Sequence, residues 1–191
     1  MHKALAIIRG EHRSLATVLH GLQYLVSQVG TGKAAPNFTV LRAMIEYINA
    51  FPVRLHHPKE NEYLFSALRR RGADIVPLLD ELEMEHVKDA QYAHELKDAL
   101  ARFEQRSGEF DAFAAAVDHY AEFQWTHMRK EEDLVLPAAQ KLLQHEDWAN
   151  IDAAFESNTD PLVGADIADE FRELFRRILT VAPTPIGLGR P

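Results

Sequence analysis

Two short stretches of the sequence place a histidine four residues before a glutamate within an apolar helical pattern. The pairs are His56 with Glu60 and His127 with Glu131. Residues four apart lie on one face of an α-helix, so each pair could hold a metal ion from one side. One such pair would be weak evidence. Two pairs in similar surroundings indicate a repeated site.

Two further histidines extend this repeat. His12 and His86 each lie in an apolar stripe, at a position where a core residue is expected. His12 precedes His56 by 44 residues, and His86 precedes His127 by 41. Each half of the chain therefore carries a lone histidine followed by His-x-x-x-Glu. In a helical bundle the two halves would be related by a pseudo-twofold axis, and six side chains would converge near the middle of one core.

The residue types in this set favour metal chemistry. Glutamate is almost never fully buried unless it is paired or coordinated, because an isolated carboxylate in a core is very costly. The chain has no cysteine, so disulfides and iron–sulfur clusters are excluded and the ligands must be nitrogen and oxygen. Six such ligands suit two iron ions better than two tetrahedral zinc ions. They cannot fill two octahedra, which leaves positions for water, hydroxide, dioxygen or peroxide.

The apolar spacing predicts four long helices that would position these side chains. They run from about 2 to 29, 39 to 70, 75 to 106 and 109 to 144. Pro52 and Pro58 interrupt the second helix and Pro137 lies near the end of the fourth. Each proline removes a backbone donor, and the sequence leaves open whether the helix bends or breaks there.

No stretch shows sustained strand alternation, so the predicted fold class is all-α. We expect an up-down-up-down four-helix bundle over residues 1–145, with residues 146–191 forming a C-terminal helical extension and tail packed on the same domain. Within that extension the sequence predicts a short helix at 148–155, a turn at 158–161, an amphipathic helix at 166–180 and a poorly ordered tail at 181–191.

Composition narrows the classes of partner. The formal charge of −8 argues against nucleic acid or an anionic membrane as a partner. The apolar start of the chain is too short for a signal peptide, and no segment approaches membrane-spanning length. A cytoplasmic location is expected by default. The sequence does not identify a protein partner or an oligomeric state.

The chain resembles the hemerythrin-like, or HHE cation-binding, family of four-helix-bundle proteins over about residues 4–144. The matching pieces are Gly10-Glu11-His12-Arg13, His56-His57-Pro58-Lys59-Glu60, Glu85-His86, and His127 to Glu131 with Leu136-Pro137. The resemblance implies a non-heme di-iron site with terminal histidines and bridging carboxylates, together with an oxo or hydroxo bridge. It also implies a role with dioxygen, nitric oxide or reactive oxygen species.

The chain departs from the oxygen-carrying hemerythrins at one position. Those proteins are expected to have a second histidine four residues after the third-helix histidine, where this chain has Ala90. They are also expected to have a carboxylate five residues after the last histidine, which here is Glu132, whereas Glu131 lies at the four-residue spacing of many HHE proteins. The missing histidine would open one iron further, which argues against simple reversible oxygen carriage. The family branch that repairs iron–sulfur clusters tends to carry an additional cysteine-bearing N-terminal segment, and this sequence contains no cysteine.

Other candidates have simpler interpretations. His57 competes with His56, but the position four residues after it is Asn61, so His56 is favoured as the ligand. Glu62 and Glu132 are interpreted as solvated neighbours, with Glu132 the better substitute ligand. Surface or capping roles are expected for His2, His20, His119 and His145, a solvent or rim position for His94, and core or rim positions for Tyr63, Tyr120 and Trp125.

The predicted metal ligands are therefore His12, His56, Glu60, His86, His127 and Glu131. The first functional hypothesis is a di-iron protein that binds, senses or scavenges dioxygen, nitric oxide or peroxide. A second is a di-iron oxidoreductase, peroxidase-like or nitric-oxide-reducing, although no donor-binding motif is visible. A third is a structural zinc or mixed-metal bundle.

Overall fold

The computed structural model describes residues 2–157, and within that range the chain is helical apart from short connections. The turn expected at 158–161, the helix expected at 166–180 and the tail lie outside the described residues. The all-α prediction is confirmed for the part of the chain that is described, which contains no strand.

Four rods form the bundle. The first is α1 (Lys3–Gly30), and the third is α5 (Val76–Gln105). The second rod joins α2 (Phe38–Ala50), the π-helical segment π1 (Pro52–His56), α3 (His57–Lys59), the π-helical segment π2 (Glu60–Phe65) and α4 (Ser66–Arg71). The fourth joins α6 (Phe110–Lys130), the π-helical segment π3 (Glu131–Val135) and α7 (Leu136–Leu142). A last helix, α8 (His145–Glu156), follows.

Local signals fix the ends of several rods. Asn37 caps α2, because its side chain accepts a hydrogen bond from the Val40 amide at 3.2 Å. In the preceding loop Gly32 has a φ of 68°, a left-handed conformation that costs glycine little. Gln144 and Asp147 form a reciprocal capping box at the start of α8.

Successive rods run in opposite directions, as the residues of the two apolar clusters show. One apolar cluster contains the start of the first rod (Ala4, Leu5 and Ile8) and the end of the second (Leu64 to Leu68). The same cluster contains the start of the third rod (Leu79 and Leu82) and the end of the fourth (Val135 to Ala139). A second cluster collects the opposite portions of the rods. The predicted ligands lie between the two clusters.

The prolines neither break the second and fourth rods nor leave them regular. The His57 amide donates to the Pro52 carbonyl, five residues back, and the Leu136 amide donates to the Glu131 carbonyl in the same way. The next residues are Pro58 and Pro137, which lack an amide hydrogen and would clash with the carbonyl four residues earlier. A widened π turn relieves that clash and keeps the rod continuous. Such turns are frequent at functional sites.

Helix α8 packs on the first rod and on π2. Its buried side chains Trp148, Ile151 and Phe155 join the apolar cluster that contains the start of α1. Polar contacts add to this packing, since the Ala4 amide donates to Asp152 and Lys59 donates to the Ala154 carbonyl, both at 2.8 Å. Among the helices of residues 2–157, none is both long and apolar enough to cross a membrane.

Candidate metal centre

The structure brings all six predicted ligands into one buried layer between the two apolar clusters. Every rod contributes, because His12 comes from the first, His56 and Glu60 from the second, His86 from the third, and His127 and Glu131 from the fourth. Their exposed fractions lie between 0% for Glu60 and 6% for His86. Both glutamates begin a π-helical segment, and His56 ends one. The widened turns therefore coincide with the candidate ligands.

His57 joins this layer, which the sequence reasoning did not expect. It is 4% exposed, and its ring stacks on that of His86 with centroids 4.1 Å apart. The preference for His56 rested on the absence of a glutamate four residues after His57. Both histidines nevertheless face the interior, one on each side of the layer. A buried charged residue, Asp89, lies beside His57. Asp89 is the residue of the sequence that could have indicated a role for His57.

Position 90, where the oxygen carriers are expected to have a histidine, is exposed in this chain, whereas Asp89 one residue earlier is 1% exposed. Position 90 therefore does not face the layer. The layer nevertheless contains a fifth imidazole, that of His57 from the second rod.

The seven side chains form two groups of four that share Glu60. One group contains His12, His56, Glu60 and Glu131, and the other contains His57, Glu60, His86 and His127. In each group the potential ligand atoms all lie within 4.8 Å of one another. Glu131 also reaches the second group, since its Oε1 lies 3.3 Å from His127 Nε2 and 3.5 Å from His86 Nε2. Two carboxylates can therefore span two adjacent ion positions.

Within each group two imidazole nitrogens face each other. His12 Nε2 and His56 Nε2 are 3.3 Å apart, and His86 Nε2 and His127 Nε2 are 3.1 Å apart. Two nitrogens bound to one ion at about 2.1 Å and roughly a right angle would be about 3.0 Å apart. The spacing within each pair is therefore close to that of two ligands on one ion.

The other ring nitrogen of each of the five histidines has a partner on a different rod. Four Nδ1 atoms are hydrogen-bonded to side-chain oxygens: His12 to Glu132 at 2.9 Å, His56 to Glu11 at 2.6 Å, His86 to Asn61 at 2.8 Å and His127 to Glu85 at 2.9 Å. His57 Nδ1 lies 3.2 Å from Asp89. When Nδ1 donates its proton to such an oxygen, Nε2 carries the free lone pair that binds a metal.

The buried carboxylates favour positive charge in the layer. Burial opposes protonation of His127, but the negative charge of Glu131 and the contacts with Glu131 and Glu85 outweigh it and raise the pKa of His127 to about 10. The same balance, with Glu60 and Glu11 as partners, raises the pKa of His56 well above its ordinary value. By contrast, burial and the neighbouring histidines lower the pKa of His57, which keeps this imidazole in the neutral form that binds metals.

Four carboxylate oxygens at the centre of the layer lack hydrogen-bond partners. Both side-chain oxygens of Glu60 and both of Glu131 are buried and accept no hydrogen bond among the described residues. Imidazole Nε2 atoms lie 3.2–3.5 Å from Glu60 Oε2 and from both Glu131 oxygens, close enough for charge attraction but without hydrogen-bond geometry. A buried carboxylate that accepts no hydrogen bond is costly, so a stronger partner is expected at this position. Metal cations between the two carboxylates would satisfy all four oxygens. The donor set therefore fits a pair of dications.

The remaining histidines lie away from the layer. His119, His145 and His94 are exposed, in agreement with their interpretation. His2 and His20 are half-buried and contact tryptophans, His2 by stacking on Trp148 and His20 at 4.7 Å from Trp125.

A small cavity adjoins the layer and borders both groups, since His12 and His56 of one group and His57 and His127 of the other line it. Its volume is about 10 Å³, enough for one water-sized molecule. Beside Glu131, the rest of its wall is formed by the apolar Leu15, Phe51, Pro52 and Met128 together with the polar Glu11 and Gln124. The cavity therefore offers a site for a small molecule next to the layer.

Comparison with known proteins identifies a family for this chain. A family model described as the hemerythrin HHE cation-binding domain matches residues 3–139, which include all seven side chains of the two groups. No curated protein matches the chain.

Proposed function

Because the chain belongs to the hemerythrin HHE cation-binding family, we propose that its buried layer holds two iron ions and binds dioxygen, nitric oxide or peroxide. The observation that carries this proposal is the pair of buried glutamates whose four oxygens have no hydrogen-bond partner. Five imidazoles surround them; four have Nδ1 hydrogen-bonded to a side chain of another rod, and His57 Nδ1 lies 3.2 Å from Asp89. Iron would supply reversible electron transfer and affinity for these small ligands.

The ligand groups support unequal roles for the two ions. His12 and His56 would hold one ion, and His57, His86 and His127 would hold the other, with Glu60 and Glu131 reaching both. The first position has one imidazole fewer, so it has more room for an exogenous ligand in six-coordination. The cavity of about 10 Å³ borders this position, although His57 and His127 of the other group line it as well. We therefore assign ligand binding to the His12 and His56 side.

The protein's own side chains would hold that ligand site fixed in place. Leu15, Phe51 and Met128 form the apolar part of its wall, and the hydrogen bonds to Glu11 and Glu132 orient the two imidazoles. A cavity of about 10 Å³ favours the smallest ligands over larger substrates.

The donor count favours iron over structural zinc. The group around His57, His86 and His127 has five donors once both glutamates are included, whereas structural zinc prefers four. Nitrogen and carboxylate ligands in excess of four suit non-heme iron.

Metal analysis of the untagged protein, combined with visible spectra before and after exposure to dioxygen or peroxide, tests the proposal. We expect about two iron ions per chain and an absorption band of an oxo-bridged di-ferric pair. A colourless protein that contains zinc would overturn it. Catalytic consumption of peroxide or nitric oxide in the presence of a reductant would show that the protein is a di-iron oxidoreductase and not only a di-iron binding protein.

A further inference from the structure

A second, much larger depression lies on the outer side of His12. It is a groove of about 630 Å³ between α1 and the wall formed by α6 and π3. His12 and Glu132 form part of its lining, so the groove borders the metal layer without being part of it. Its volume is within the range of about 300–1,000 Å³ found for small-molecule sites. A diatomic ligand does not require so much space.

Three arginines line this groove without forming a close ion pair among the described residues, although the charges of Arg9 and Arg13 help to lower the pKa of Glu132. Arg9 and Arg13 lie one turn apart on α1, and Arg129 lies on α6. None of the three forms an ion pair with another residue between 2 and 157, although Arg42, Arg69 and Arg71 elsewhere on the surface do. Several guanidinium groups around one groove suit a phosphate or a carboxylate, which they can bind with charge-assisted hydrogen bonds.

The rest of the groove is apolar and aromatic. Ala16 and Met128 are buried, and the half-buried Trp125 packs against His20 with ring centroids 4.7 Å apart. An aromatic ring next to small apolar side chains provides a surface for a flat ligand. Glu132 and Asp133 also line the groove and would repel an anion, so the anionic group belongs at the arginines.

We propose that this groove binds a small organic anion, with its phosphate or carboxylate at Arg9, Arg13 and Arg129 and a planar ring against Trp125. The site is distinct from the metal layer and does not require an ion in it. The two possible anionic groups share the same recognition chemistry, so probes with each group distinguish them.

Isothermal titration calorimetry on the purified full chain tests the groove, with the iron content measured on the same sample. The probes are inorganic phosphate, benzoate and flavin mononucleotide. We expect saturable one-to-one binding of at least one ring-bearing probe, with inorganic phosphate weaker because it has no ring. Tighter binding of flavin mononucleotide would identify a phosphate ligand, and tighter binding of benzoate would identify a carboxylate ligand.

Matched variants locate the binding. Arg13→Gln should weaken it by about tenfold or more, since it removes a charged hydrogen-bond donor. Arg106→Gln changes an exposed arginine outside the groove that has no ion pair among the described residues, and it should have no effect. Trp125→Leu should weaken only the ring-bearing probes.

Two results would overturn the proposal: no saturable binding of any probe, or unchanged affinity in Arg13→Gln. Binding by a sample that contains no iron would support the groove while counting against the di-iron proposal, so the two can fail separately.

Discussion

Replacement of Glu60 by alanine should remove both metal ions, whereas replacement of His57 by alanine should remove one. Glu60 is 0% exposed and belongs to both ligand groups, so its loss takes a donor from each ion. His57 belongs to one group only. We therefore expect about two ions per chain in the wild type, about one in His57→Ala and fewer than one in Glu60→Ala.

The lost ions should also be visible in stability. An ion that binds only the folded state stabilises it by about 2.7 kcal/mol when free metal exceeds the dissociation constant a hundredfold. For a chain of this length that corresponds to roughly 5–11 °C in melting temperature per ion. His57→Ala should therefore lose about one such step and Glu60→Ala about two, both measured in iron-saturated buffer.

The assay is metal analysis after gel filtration, paired with thermal unfolding followed by circular dichroism. Glu62→Ala is the matched control for Glu60→Ala, because Glu62 is exposed and lies two residues away on the same π-helical segment. His119→Ala is the control for His57→Ala, because His119 is exposed and belongs to neither group. Two ions retained in His57→Ala would refute its role as a ligand, and one ion retained in Glu60→Ala would refute the shared carboxylate.

Three further predictions concern the surroundings of the layer. Asp89→Asn should weaken the affinity of the ion near His57 by about 10–100-fold in a chelator competition, since it removes the carboxylate beside His57 Nδ1; unchanged affinity would contradict this. Burial raises the pKa of Asp147, but the hydrogen bond from Arg71 helps to outweigh burial, so the pKa lies below its ordinary value of 3.8. The ionised Asp147 carboxylate therefore stabilises the fold above pH 3.8, and this stabilisation is lost as the pH falls through the lowered pKa. Asp147→Asn should therefore lower the melting temperature at pH 7, and the difference from wild type should shrink below about pH 4. Phe155→Ala should destabilise the fold by about 3–5 kcal/mol in urea unfolding, because its side chain is fully buried.

The bundle was predictable because its signal is repeated along every rod. Apolar spacing placed the first helix at about 2–29 and the third at about 75–106, and the structure has Lys3–Gly30 and Val76–Gln105. The prolines were harder to interpret. Pro58 and Pro137 each remove a backbone amide hydrogen, whether the rod bends or breaks at that point. Which of the two happens depends on how the rod packs against its neighbours. That packing favours a continuous rod with a widened turn, which local sequence does not specify.

The candidate site was only partly predictable, because the His-x-x-x-Glu pattern relates only residues of the same helix. His-x-x-x-Glu finds His56 and His127, but it rejects His57 because Asn61 follows four residues later. In the structure Asn61 accepts a hydrogen bond from His86, and the carboxylate beside His57 is Asp89, 32 positions away on the third rod. Contacts between rods leave no periodic trace in a single sequence, so His57 could not be chosen on spacing alone.

The same contacts between rods explain why the fold and the site depend on each other. His12 and His56 are held from the fourth and first rods by Glu132 and Glu11, which lie 120 and 45 positions away in sequence. The other three histidines join the second rod to the third and the third to the fourth. The five pairs thus link every neighbouring pair of rods. A bundle that packs correctly therefore places the Nε2 atoms of His12, His56, His86 and His127 within 3.2–3.5 Å of glutamate oxygens, with His57 in the group around Glu60. Ions that bind there would in turn hold together the rods that supply their ligands.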